Sequence, residues 1–469
     1  MGVATRGGIR STAPPLMTAA ITPPPPESPT DRAGKLWPLA TTMAVGVFST
    51  TFVQIQSIGS LPLNSLLMKK MGLNSNEAAT FMSLVTLPWT FKVIAGLLVD
   101  GVPLFGSRRR SYLLASSIVA MVMWFVMAAA SHNQHLLLIA ALGMNTALVF
   151  GSTTAGGLLV EGGQRFNASG KLSSLRAFAQ NLGAAVAMPL SGYLAGHALG
   201  WTSAVAAVPL SCMFLATWFF LREPCLPSVQ ETSRSFGEAC ARVARSIGRQ
   251  LGNVLRPQML MPALLLLFIQ GVPTFRSTSF YEYQTKTLGY SDEVLGWLGL
   301  AGLGVALLGP VGYALICRKL PLRVSLYGSI GLTAASCLPY LFYPEWNGGA
   351  SLARVLAIEA VGTFLMYLAY VPLFDLAVRS TPKGSEALGF SLLISVWNIG
   401  LMIGSKLGPW IYQNGVEQAL AVTPGASQLA IRHQEMNQLI WLNAGVMLAG
   451  VIIVFFIRSE LVDRREDGP

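Results

Sequence analysis

Charge is what this sequence has least of. Only 11% of its 469 residues are Asp, Glu, Lys or Arg, where a soluble globular chain carries roughly 25%. That scarcity argues against a water-soluble fold. Cysteine is sparse too: Cys212, Cys225, Cys240, Cys317 and Cys337 show no CxxC spacing, and each falls in a predicted span or on the side predicted to be cytoplasmic. Neither a disulfide framework nor a zinc site is implied. The four histidines, His132, His135, His197 and His433, all fall in predicted outer loops. They leave no acid, base or metal cluster at a bilayer surface, so no enzyme is expected. No acidic residue precedes Glu27.

Apolar sequence fills the space, with 52% of the residues hydrophobic. A bilayer core needs about 20 apolar residues per helix, and windows of that length occur near 37–60, 77–99, 111–130, 136–160, 172–196 and 201–221. A second set lies near 259–281, 292–317, 324–344, 350–378, 384–413 and 436–457. The expected fold is an all-α membrane protein of about twelve transmembrane helices in two six-helix bundles, 37–221 and 259–457. The net charge of +11 is dispersed in short clusters between apolar runs, which excludes a nucleic-acid surface. With both termini cytoplasmic, roughly 23 of the Lys and Arg residues fall inside and about 5 outside, the bias that sets orientation.

Residues 1–36, with Arg6, Arg10 and a run of four prolines, read either as a disordered cytosolic tail or as a plastid transit peptide. A plasma membrane and an organelle membrane therefore both stay open. Between the bundles, 222–258 forms a cytoplasmic linker. Phe236, Cys240, Val243, Ile247, Leu251 and Val254 recur there at helical spacing, with Arg234, Glu238, Arg242, Arg245 and Arg249 opposite. Such a basic amphipathic helix is expected to lie along the inner leaflet. Residues 458–469 form a second cytoplasmic tail.

The charges left inside the spans point to function, because an ionisable side chain at hydrocarbon depth costs a few kcal/mol unless partnered. Lys92, Gly96 and Asp100 follow at intervals of four along one helix face. Arg108, Arg109 and Arg110 come just beyond. Glu161 closes the fourth span, and Arg176 lies about one turn into the fifth. These residues are expected either to form a cytoplasmic latch of ion pairs or to contact substrate directly. In the tenth span Glu359, Thr363 and Tyr370 project to one side with Tyr367 nearby, a candidate polar ligand surface. A buried Glu359 suits proton coupling, the alternative being a structural pair with Arg354 or a neighbouring helix. Asp375 reads as a gate or helix-end residue. Small-residue stripes at Gly183, Ala187, Ser191 and Ala195, at Gly296, Gly299 and Gly302, and at Gly400, Gly404 and Gly408 predict close helix approach.

Pro88-Trp89, Lys92, Gly96, Asp100, Pro103, Gly106, Arg108 to Arg110 and Tyr112 together resemble the signature of the folate-biopterin transporter family within the major facilitator superfamily. Other landmarks agree: Phe52-Val53-Gln54, Glu161, Leu172, Ser174, Gly192-Tyr193, Pro273, Leu288-Gly289-Tyr290, Pro321-Leu322-Arg323, Glu359, Pro372, Glu386 and Asn398. Three positions depart from the pattern. Val93 replaces a proline, Ile55 replaces a glycine, and Gly156 stands where many relatives have an aspartate.

The resemblance implies a major facilitator fold and a secondary transporter of folates or pterins, working by alternating access and often proton-coupled. Lys92 and Arg176 would meet carboxylates, while Glu359, Tyr367 and Tyr370 would meet the ring, with Gln54 and Asn398 adding to the cavity. Asp100, Arg108, Arg109, Arg110, Glu161, Asp375 and Glu386 would form the gate. The expected partners are a small-molecule solute and the lipid bilayer, with no nucleic acid, no metal, no cofactor beyond a coupling proton, and a monomeric chain. Transport of another organic solute, or ligand binding without flux, are the alternatives.

Overall fold

The computed structural model describes residues 29–73, 75–223, 245, 248–254, 256–276, 278–345, 351–423 and 427–463. These residues are almost entirely helical. Among the described residues nine helices are long and apolar enough to cross a membrane: Thr80–Gly101, Arg110–Ala129, Gln134–Arg165, Leu199–Phe220, Trp297–Ile316, Leu322–Phe342, Leu352–Ser380, Glu386–Val422 and Gln428–Phe455. Numbered in chain order among the expected twelve, they are helices 2, 3, 4, 6, 8, 9, 10, 11 and 12.

Helices fall at the other three expected positions, each with a physical reason for missing that threshold. Helix 1, Pro29–Phe52, has an apolar part of only Leu36–Phe52. Helix 5, Ser169–Leu194, is long but carries Lys171, Arg176, Gln180 and Asn181. Helix 7, Pro257–Gly271, stops early because Pro273 follows: the residue before a proline avoids the helical region, and Val272 is extended at φ −59°, ψ 139°. Helix 2 also breaks. Pro88 sits in a tight turn of 3-10 helix, Leu87–Phe91, and Lys92 begins the second piece, Lys92–Gly101.

The apolar core is not uniform between the halves. One cluster contains only residues of the first half, among them Phe52, Trp124, Leu137, Ala187 and Leu194. Another is continuous across both halves, joining Met43, Leu158 and Leu172 to Leu373, Val378, Leu388 and Phe390. The halves are thus fused toward one end of the bundle, where the loop between helices 2 and 3 lies. Large exposed apolar side chains such as Ile139, Trp201, Trp297 and Ile452 face outward, as lipid contact requires. Of the basic linker helix only Arg245 and Gly248–Val254 fall within the described residues. Val254 is buried and Leu251 exposed; Arg234, Phe236, Glu238, Cys240, Arg242, Val243 and Ile247 lie outside, as do the tail up to residue 28 and residues 464–469.

Candidate functional site

At the fused end the contacts between halves centre on Asp100. One carboxylate oxygen accepts a hydrogen bond from the Leu388 backbone N–H at 2.8 Å, and the other pairs with Arg109 at 2.7 Å and Arg108 at 3.4 Å. Arg109 continues to Glu386 at 3.3 Å. Leu388 and Glu386 belong to the first turn of helix 11, whose free N–H groups and positive dipole end favour acids. Two glycines make the geometry feasible. A Cβ on Gly96 would lie 2.8 Å from the Leu388 Cα, and one on Gly157 would lie 2.8 Å from the Arg109 guanidinium carbon. Nearby, the Gln164 amide donates to the carbonyls of Val378 at 2.9 Å and Thr381 at 2.7 Å. Arg379 donates to Ser169 Oγ at 3.0 Å and pairs with Asp375 at 2.9 Å, which also accepts from the Tyr313 hydroxyl at 2.9 Å.

Not every predicted latch residue takes part. Arg110 donates to the Trp218 carbonyl at 3.3 Å and stacks on the Trp218 ring, so it braces helix 6 instead of bridging the halves. Glu161 makes no ion pair among the described residues; it lines a cavity of about 500 Å³ with Arg165, Arg222 and Glu223. Lys92 does not pair with Asp100, since two turns of helix separate them by roughly 12 Å. Its ammonium donates to Ser152 Oγ at 2.9 Å and sits over the Trp89 ring. Glu223, which the sequence did not single out, accepts from the backbone N–H of Arg109 at 3.0 Å and of Arg110 at 3.3 Å, capping helix 3.

A second polar centre lies in the other half. Glu359 pairs with Arg276 at 2.6 Å, accepts from Thr363 Oγ1 at 3.1 Å and from the Tyr343 hydroxyl at 3.4 Å. The Arg276 guanidinium lies over the Tyr340 ring, 5.0 Å from its centre. Of the two structural pairings left open, with Arg354 or with a neighbouring helix, the partner comes from outside helix 10, on the segment that follows helix 7. Tyr367 and Tyr370 share the side of helix 10 that was expected, but sit roughly 12 Å and 16 Å further along it by helical rise. Tyr370 packs edge-on against Trp397 at 5.3 Å. Gln54 is half-buried just past the end of helix 1, and Asn398 is exposed. Three turns separate Asn398 from Ala387, which packs with Val99 and Tyr112, so it shares the helix 11 face turned toward the first half.

Arg276 is positioned by the break in helix 7. The unwound segment lies on the glycine stripe of helix 11: a Cβ on Gly404 would come to 2.5 Å from the Gln270 and Val272 carbonyls, and one on Gly408 would overlap the Thr274 carbonyl. Thr274 N–H donates to the Gly404 carbonyl at 3.2 Å, and Asn443 donates to the freed Pro273 carbonyl at 2.6 Å. Gly408→Val should therefore displace Arg276 and cut uptake at least tenfold, checked by transport assay and size-exclusion profile. Gly299→Ala, at a position with nothing within 4 Å, should change neither, since glycine to alanine in a helix costs nothing intrinsic.

Over residues 55–466 the sequence matches the BT1 family. The chain belongs to that family. It is 28% identical over 388 residues to the folate-biopterin transporter of Synechocystis sp., covering 78% of this chain and 75% of that protein. It is 24% identical over 369 residues to folate transporter 1 of Plasmodium falciparum, covering 75% and 69% of the two chains. Among solved structures it is similar to the major facilitator superfamily proton:xylose symporter XylE, with a TM-score of 0.62 at 13% identity over 91% of this chain and 97% of that one. The fucose transporter FucP in its outward conformation gives 0.61 at 12% identity, covering 89% and 98%. Family and fold together make this BT1 member a multi-pass membrane transporter, not an enzyme.

Proposed function

We propose that this chain carries folates or pterins across its membrane by alternating access, with the cytoplasmic gate shut in the conformation described. The observation that carries this reading is the Arg276–Glu359 pair, set among Tyr340, Tyr343 and Thr363 in a two-half bundle whose described ion pairs between the halves gather at one end. A flat pterin ring, rich in donors and acceptors, suits a wall of phenols with an acid and a guanidinium in the plane. The named relatives point to the same substrates.

The latched end carries Arg108, Arg109 and Arg110, and the positive-inside bias assigns it, with both termini, to the cytoplasm. In this reading a proton on Glu359 breaks the charge-assisted bond to Arg276 and frees the guanidinium for substrate, which couples uptake to a pH gradient. Neither a cofactor nor a second subunit is needed. The test is uptake of labelled folate, biopterin and a panel of other vitamins into cells expressing the chain, with and without an acidic outer medium. Folate or biopterin should accumulate, faster at acidic outer pH. Flat traces for both, with flux of a different vitamin, would overturn the substrate assignment.

A further inference from the structure

Two buried cations stand between the halves without an acid. Arg176 is 8% exposed and Lys92 4% exposed, and neither meets a carboxylate among the described residues. The Arg176 guanidinium is held between two rings of the opposite half, 4.6 Å from the centre of Phe374 and 5.3 Å from that of Phe390. Its Nη1 is buried with no hydrogen-bond partner. Among the described residues Lys92 has the Ser152 hydroxyl and the Trp89 face as its partners, so two of its three donors have no acceptor there.

Helix 4 brings the two together. Ser152, which holds Lys92, and Gly156, which receives Phe390, are one turn apart on one face, about 6 Å by helical rise. A Cβ at Gly156 would lie 2.7 Å from Phe390 Cδ1, so glycine there admits the ring on which Arg176 stacks. Aromatic faces hold a guanidinium in place but neutralise nothing, and an uncompensated buried charge is costly. Two such charges a short distance apart call for a ligand that brings two negative charges.

We propose that Lys92 and Arg176 form a dianion subsite that selects substrates ending in a dicarboxylate, the glutamate tail of a folate, over neutral pterins. The Arg176 fork takes one carboxylate through its free Nη1 edge, and the Lys92 ammonium takes the other as a point charge. The phenol and acid centre around Glu359 reads the ring in both substrate types, whereas only a dianion satisfies both cations. This inference rests on the folate and pterin reading for its choice of probes.

The experiment measures binding to the purified full-length protein, by ligand-induced thermal shift and by titration, with four probes. Folate has ring and two carboxylates, pteroate has ring and one, biopterin has the ring alone, and p-aminobenzoylglutamate has two carboxylates without the ring. Folate should bind at least tenfold more tightly than pteroate, and p-aminobenzoylglutamate should bind where benzoylated mono-acids do not. Lys92→Gln and Arg176→Gln should each erase the folate-over-pteroate ratio while biopterin binding persists, which also certifies that the variants fold. Lys92→Arg should restore the ratio. Gly156→Asp combined with Phe390→Ala, which supplies an internal acid and the room for it, should turn the preference toward mono-anions. Equal binding of folate and pteroate, or an intact ratio in both glutamine variants, would overturn the subsite. Binding of p-aminobenzoylglutamate with none of biopterin or pteroate would sustain the subsite and overturn the pterin assignment instead.

Discussion

Asp100→Asn should unlock the fused end and raise chemical access to it at least tenfold. The amide keeps an acceptor for the Leu388 N–H but loses its charge, so Arg109, whose side chain is 2% exposed, forfeits its 2.7 Å partner and keeps only Glu386 at 3.3 Å. Breaking a buried pair this way costs about 3–5 kcal/mol. Asp100 and Arg109 both belong to the first half, so the part that falls on the closed state alone is the charge-assisted bond to the Leu388 N–H and the aim of Arg109 at Glu386, about 1.5–3 kcal/mol, which shifts the equilibrium by about tenfold or more toward opening. Ser391, fully buried near this seam, reports the opening. With the five native cysteines replaced, Ser391→Cys should react slowly with an impermeant maleimide applied from the latched side, and at least tenfold faster once Asp100→Asn is added. Arg110→Ala should leave the rate unchanged, because its partners belong to helix 6. Equal rates for Asp100→Asn and its parent would show that the latch does not hold the gate.

The membrane-spanning pattern was legible because a helix in lipid must satisfy its own backbone and present apolar side chains all round, so each span announces itself locally. The charged motif after helix 2 was legible for a related reason: Asp100 and the arginines are too costly at their depth to be incidental. What spacing along one helix could not show was the partner on the next. The intervals of four that run from Lys92 through Gly96 to Asp100 suggested a charge pair along one face, yet each found its partners elsewhere, Lys92 on helix 4 and Asp100 on Arg108, Arg109 and the first turn of helix 11. Arg276 falls near the outer end of the expected span 259–281, where a flanking charge is ordinary. The signals that place it were present separately, Gly271-Val272-Pro273 for the break and Gly400, Gly404 and Gly408 for the groove, but only packing joins them. Tyr340 and Tyr343 were missed because a helical wheel ranks residues on helix 10 and is blind to helix 9 beside it. The glycines of helix 8 divide: Gly299 faces open space, whereas a Cβ on Gly302 would lie 3.7 Å from Thr363 Oγ1 and 3.9 Å from the Glu359 carboxylate, so there helix 8 does approach helix 10 as its stripe predicts.

Glu359→Gln is expected to abolish stimulation of uptake by an acidic outer medium and to lower the stimulated rate at least tenfold. The amide is nearly isosteric and can still accept from Thr363 and Tyr343, so packing around helix 10 should survive. What it removes is the protonatable group that, among the described residues, is bonded to Arg276, leaving that guanidinium, whose side chain is 30% exposed, in a single protonation-independent state. Arg276→Leu leaves Glu359 with hydroxyl partners alone and should cost flux as severely, for lack of a cation at the ring site. The double variant Glu359→Gln with Arg276→Gln distinguishes a structural brace from a coupling device. A brace predicts that removing both charges restores stability and flux together, with a coupling energy of about 1–3 kcal/mol in unfolding. A coupling device predicts restored stability but flux that stays low and pH-independent, because no bond remains for a proton to break and no cation remains at the ring site. Proton-stimulated uptake that persists in Glu359→Gln would assign the pair to holding the broken helix 7 against helix 10 and move the coupling group elsewhere.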